Sequence, residues 1–161
     1  MLYNTSELPK GTKLCQILTG DKVRRRCSEV TTFNVEELTS AIWRMIRACI
    51  MDDGAGLAAP QIGIYKRIFV KALGDGTYRA YINPNFTPVE EATKEAGIEG
   101  CLSVPGKRIS VKRYTAIKAT WTELTTDGAL ETCEATLEGW DARVFQHEKD
   151  HLDGVTILEK R

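Results

Sequence analysis

Histidine is nearly missing from this chain: 161 residues contain two. Net charge is missing altogether, with Lys+Arg at 22 and Asp+Glu at 22, so nothing draws the chain broadly to nucleic acid or to an anionic membrane surface. The one basic cluster, Arg24-Arg25-Arg26, is short and diluted by Asp21 and Glu29. It reads as a solvated turn, not a direct nucleic-acid site. No run of about twenty apolar residues occurs, which excludes a transmembrane helix. Met1-Leu2-Tyr3-Asn4-Thr5-Ser6-Glu7 lacks a basic start followed by an apolar core, so it does not read as a signal peptide. The five cysteines, at positions 15, 27, 49, 101 and 133, are odd in number and never paired at short spacing. That excludes a disulfide framework and points to a reducing compartment, the cytoplasm. Repeats and low-complexity segments are absent, and the length suits a single domain over residues 1–161.

What is present is concentrated. Both histidines fall in His147-Glu148-Lys149-Asp150-His151, and chance puts two histidines four apart in only about one arrangement in eighty. On a helix, residues four apart share a face, so two imidazoles can meet one metal ion while the Glu148 carboxylate reaches a bound water. Trp140, Val144, His147 and His151 form one helical stripe, which predicts that the histidines continue an apolar face. Gly139 precedes the run and Gly154 follows it, where a helix commonly stops.

Two histidines leave a metal site incomplete. Only ten residues follow His151, none of them histidine, and Asp153 falls on another helix face. The third ligand is therefore expected upstream, with a thiolate as the strongest candidate. Cys49 follows the apolar stripe of a helix and reads as core, Cys27 as near the surface, and Cys133 as part of a strand. Cys101 differs: Glu99-Gly100-Cys101-Leu102-Ser103-Val104-Pro105-Gly106 suits an irregular backbone approaching a site closely. The Glu99 and Asp150 carboxylates are candidates for outer partners of the site.

Residues 1–16 read as irregular. A helix is predicted from Asn34 to about Asp52, with Asn34 as cap, Glu37 in the capping-box position, and Val35, Leu38, Ile42, Met45, Ile46, Cys49 and Ile50 facing the core. Gly54-Ala55-Gly56-Leu57-Ala58-Ala59 imitates a dinucleotide fingerprint, but a helix precedes it and Pro60 and Gln61 follow, so the context is wrong. It reads as a plain loop, or as a glycine loop whose backbone pairs with a peptide while Gln61 points an amide into the site. Strands are predicted at Arg67–Leu73 and Tyr78–Asn83 around Gly74-Asp75-Gly76, and at Ile109–Glu123 and Ala129–Leu137 around Thr126-Asp127-Gly128. Val155-Thr156-Ile157-Leu158 is predicted as a short closing strand. The order predicts an α+β fold, with antiparallel β-sheets packed around a central metal-binding helix.

Three motifs, Gly54-Ala55-Gly56-Leu57-Ala58-Ala59-Pro60-Gln61, Glu99-Gly100-Cys101-Leu102-Ser103 and His147-Glu148-Lys149-Asp150-His151, together resemble the peptide deformylase family in order and spacing. Weaker similarity runs from about Ile17 to the C-terminus and includes Ile82-Asn83-Pro84. The resemblance implies a hydrolase that removes the formyl group from N-terminal formylmethionine of nascent chains, and it implies the same α+β fold. It implies metal ligands at Cys101, His147 and His151, Glu148 as general acid/base toward a metal-bound water, and Gln61 and the Leu102 N–H as donors to the reacting oxygen. A pocket for the methionine side chain is implied near Ala55, Gly56, Gly100 and Val144. One divalent ion is implied, Fe(II) in many members, with Ni(II), Co(II) or Zn(II) as substitutes.

Asp141 departs from the family, standing where many members are apolar. The chain also stops soon after the third motif, where many bacterial members continue into a C-terminal helix. It is in this respect similar to short forms encoded by some phages, which would place it in the host cytoplasm and make ribosome contact weak. Two other readings stand beside this one. A small HExxH metallopeptidase would cut unformylated peptides, and a binding module would hold a closed four-ligand structural metal.

Overall fold

A computed structural model describes residues 1–160. In chain order the elements are β1 (Leu2–Asn4), α1 (Val35–Met51), β2 (Gly56–Ala58), β3 (Ile68–Ala72), β4 (Thr77–Pro88), β5 (Lys94–Glu99), β6 (Ile109–Tyr114), β7 (Ala116–Leu124), β8 (Leu130–Glu138) and α2 (Gly139–Leu152), joined by short 3₁₀ turns. α1 begins where Asn34 Oδ1 accepts from the backbone N–H groups of Glu36 and Glu37, the predicted cap. α2 follows β8 with no loop between them. Gly139 takes φ +54° there, a left-handed turn that glycine adopts freely.

The strands form two antiparallel sheets. The main sheet runs β2-β3-β4-β7-β8, with β1 added to β4, while β5 and β6 pair only with each other. β4 pairs with β1 and β3 along residues 77–82 and with β7 from Ile82 onward, the β7 register shifting between Ile82 and Asn85, where Asn83 is left-handed at φ +49°. The Asn83 amide accepts from the Val30 N–H at 2.8 Å and donates to the Val30 carbonyl at 2.9 Å, fixing that kink.

Side-chain alternation divides the core between the helices. Leu57, Val70, Ala80 and Ile82 face one way and join Ile42, Met45, Ile46 and Cys49 of α1. Ala58, Phe69 and Tyr81 face the other way and join Ala142, Phe145 and Leu152 of α2. The main sheet is thus a middle layer, with α2 in contact with both it and β6 of the small sheet. Gln146 couples α2 to the small sheet, accepting from the Tyr114 N–H at 3.0 Å and donating to the Tyr114 carbonyl at 2.9 Å.

The expected segment Ile109–Glu123 is two strands in different sheets. Odd-numbered Val111, Arg113, Ile117, Ala119 and Trp121 are buried on both sides of the break at Thr115, so the period-two pattern gives no sign of it. β1, β2 and β5 were not expected as strands. Val155–Leu158 is no strand: Ile157–Glu159 form a 3₁₀ turn, with Thr156 Oγ1 accepting from the Leu158 N–H and Glu159 accepting from the Thr156 N–H. Local caps win here: the Thr156 and Glu159 side chains take up the backbone N–H groups that a strand would have to pair. Val35 and Ile50 are exposed, while Trp43 and Ala48 take the core face. Cys27 is buried, not superficial, and its N–H donates to the Leu152 carbonyl at 2.9 Å. Trp140 is 63% exposed, so the apolar stripe of α2 stops at Val144.

Candidate metal centre

His147 and His151 stand one turn apart on α2, with ring centroids 5.1 Å apart. Cys101 comes from a different element, the turn that follows β5, closed by the Val104 N–H donating to the Cys101 carbonyl at 2.9 Å. The fold brings the three ligand atoms within 4.8 Å of one another, and Cys101 Sγ lies 3.3 Å from His151 Nε2. One thiol and two imidazoles suit a divalent transition metal. They line or back a cavity of about 740 Å³.

Glu99 orients the first imidazole. Its Oε2 lies 2.9 Å from His147 Nδ1, which leaves His147 Nε2 free to face the cluster. The carboxylate is itself clamped, accepting from Arg113 Nε and Nη2 at 2.9 Å each and from Arg143 Nη1 at 2.8 Å. Burial pushes the Glu99 carboxyl up, but the Arg113 and His147 hydrogen bonds outweigh it and hold it well below the usual carboxylate range. Burial works against charge on both histidines of the metal-free chain. It leaves His151 neutral, with its pKa well below the ordinary value, whereas Cys101 and Glu99 raise His147 to about 10.

Glu148 is 4% exposed and its Oε2 has no hydrogen-bond partner among the described residues. Burial pushes its carboxyl up to about 7, against the pull of His147 and Arg113. Such an orphaned group at a cavity wall is placed to bond a water or a substrate. Gly56 must be glycine beside it, because a Cβ there would lie 2.8 Å from Glu148 Oε1 and 3.0 Å from the Val70 carbonyl oxygen. Gln61 is buried and its amide is fixed at both ends: Oε1 accepts from the Ala58 N–H at 2.8 Å, and Nε2 donates to Ser103 Oγ at 3.0 Å. That leaves one N–H on Nε2.

Ala55, Gly56, Gln61, Gly100, Cys101, Leu102, Val144, His147 and Glu148 all line the cavity, while His151 lies behind its wall at 1% exposure. Asp150 is not at the cluster; it accepts from Arg113 Nη1 at 2.5 Å, one step further out. Asp153 is on the far side of α2, paired with Arg67 and Lys149. Sequence reasoning missed Arg113, Arg143 and Ser103. Arg113 carried a weak signal, a charged residue at an inward position of an alternating strand; Arg143 and Ser103 carried none.

A sequence profile for polypeptide deformylases matches residues 15–161. The chain belongs to the polypeptide deformylase family. Its activity is the metal-dependent removal of formyl groups from polypeptide N-termini. The peptide deformylase of Thermotoga maritima is 45% identical over 142 residues, covering 88% of this chain and 82% of that one. The crystal structure of the Thermotoga maritima peptide deformylase superposes with a TM-score of 0.82 at 41% identity, over 92% of this chain and 97% of that one. The Met-Ala-Ser-bound structure of a class I type b peptide deformylase from Acinetobacter baumannii gives 0.81 at 27% identity, over 93% and 99%. These matches disfavour the metallopeptidase. No helix among the described residues is long and apolar enough to cross a membrane.

Proposed function

We propose that Cys101, His147 and His151 hold one divalent ion, Fe(II) in the native protein with Ni(II), Co(II) or Zn(II) as substitutes, and that the site deformylates N-formylmethionyl peptides. The observation that carries this is the convergence of three ligand atoms within 4.8 Å beside a buried carboxylate with a free oxygen. When bound, the ion supplies Lewis acidity, lowering the pKa of water and polarising a carbonyl.

The chain's own groups do the rest. Glu148 accepts a proton from the attacking water and delivers it to the departing amine, a role a carboxyl near neutrality suits. The remaining Gln61 N–H and the Leu102 N–H donate to the developing oxyanion, each donor contributing about 2.7–4 kcal/mol in the transition state. β2 lies at the edge of the main sheet, so its backbone can pair with an extended peptide. The methionine side chain then enters between Ala55, Gly56, Gly100 and Val144. The Met-Ala-Ser complex of the Acinetobacter relative supports a peptide in this cavity. The balance of 22 cations and 22 anions makes ribosome contact weak, and the work is done in the cytoplasm, the host's if a phage encodes the chain.

The test is formate release from a formylmethionyl peptide by protein prepared without oxygen. Rapid release is expected, with acetylmethionyl peptides far slower because Gly56, Gln61 and Leu102 leave little room for the extra methyl. Cleavage of internal bonds in unformylated peptides, without formate release, would overturn it.

A further inference from the structure

The cluster is assembled from two bodies. Cys101 hangs from the end of β5, in a small sheet with no backbone pairing to the main one, while both histidines ride on α2. Whatever joins α2 to that hairpin sets the distance between thiol and imidazoles. Arg143 lies one turn before His147 on the same helix face. Its Nη1 donates to Glu99 Oε1 at 2.8 Å and to the Val111 carbonyl at 3.0 Å, and its Nη2 donates to the Glu95 carbonyl at 2.9 Å. The guanidinium thus reaches both strands of the hairpin. It crosses at Gly97, where an added Cβ would lie 2.6 Å from Arg143 Cζ, and the three nearest atoms to that Cβ all belong to Arg143.

We propose that Arg143, seated over Gly97, is a positioning residue that latches the β5–β6 hairpin to α2 and so holds Cys101 at metal-binding distance from His147 and His151. The latch is separate from the orientation of the imidazole. Removing Arg143 leaves Glu99 its two bonds from Arg113 and its contact with His147. What is lost is the tie to the two strand carbonyls. A lysine retains charge but not the planar fork that serves three acceptors.

The inference rests on the ligand assignment proposed above, and the experiment separates the two. Metal release from the loaded protein is followed with a chromogenic chelator, alongside backbone hydrogen exchange of the metal-free chain. Arg143→Ala and Gly97→Ala are each expected to release metal about 10–100-fold faster, the usual cost of losing an outer partner, and Arg143→Lys to resemble the alanine variant. Exchange should rise in β5 and stay unchanged in β3 and β4. The Gly97→Ala, Arg143→Ala double variant is expected to release metal no faster than Arg143→Ala alone, because the added methyl then fills vacated space. Wild-type release from Arg143→Ala, or a second full penalty for Gly97→Ala in its absence, would overturn the latch. Cys101→Ser is the parallel arm: if it retains metal like the wild type, the ligand assignment fails, whatever Arg143 does. Should Arg143→Ala fail to fold, Gly97→Ala and Arg143→Lys carry the same test.

Discussion

α1 and α2 cover opposite faces of one sheet, yet they bury different things. α1 places Leu38, Ile42, Trp43, Met45, Ile46, Ala48 and Cys49 in the core, with no charged residue among them. α2 buries Ala142, Val144, Phe145 and Leu152 alongside Gln146, Glu148 and His151. Each polar group on α2 costs desolvation unless it is satisfied. Gln146 is satisfied by the Tyr114 backbone, whereas Glu148 Oε2 and His151 Nδ1 have no partner among the described residues. The contrast separates a helix whose buried face carries unsatisfied polar groups from one whose buried face is apolar and adds the stability that offsets them.

That contrast can be broken by mutation. The largest effect is expected from Glu148→Ala: loss of about 10²–10⁴-fold or more in kcat/KM for formate release, with metal content and fold retained. Near-normal turnover would remove Glu148 from proton transfer. On the other helix, Ile46→Ala empties a fully buried position and should cost about 2–5 kcal/mol of stability, read by urea titration, while kcat/KM of the folded fraction stays unchanged. A kinetic defect there would mean α1 is more than a scaffold. Metal binding should stabilise the native state by about 2.7 kcal/mol at a free concentration of 100 Kd. Chelation should abolish that gain in the wild type, and a Cys101→Ser variant should show little of it; equal metal-dependent shifts in Tm would count against the thiolate ligand. Asn34→Ala removes the two-bond cap of α1 and should cost about 1 kcal/mol, again without kinetic effect. Smallest of all, Trp140→Ala on the exposed first turn of α2 should change stability by less than about 0.5 kcal/mol. A larger thermal shift would show that Trp140 packs against something in solution.

The parts that were legible share a physical property: their signal is local. The α1 cap and stripe, the two hairpin turns and the spacing of His147 and His151 each depend on neighbours within a few residues. The misreadings needed non-local information. Trp140 continues the stripe of α2 in sequence, but there it faces the open cavity and not the core. Cys27 follows three arginines, but its own segment pairs with the end of α2. The break at Thr115 leaves the alternation intact, and only the pairing of β6 with β5 reveals it.

The sequence by itself determined the α+β class and the two imidazoles on one helix face with a carboxylate beside them, and it pointed upstream, to a thiolate, for a third ligand atom. These follow from helical periodicity and coordination chemistry, which operate over short stretches of chain. The tertiary structure decided how Cys101 reaches those imidazoles across 45 residues of intervening chain, which arginines clamp Glu99, and that Ser103 fixes the Gln61 amide at the cavity. Those are contacts between elements, fixed by the packing of two sheets on α2, and no local pattern of residues encodes them.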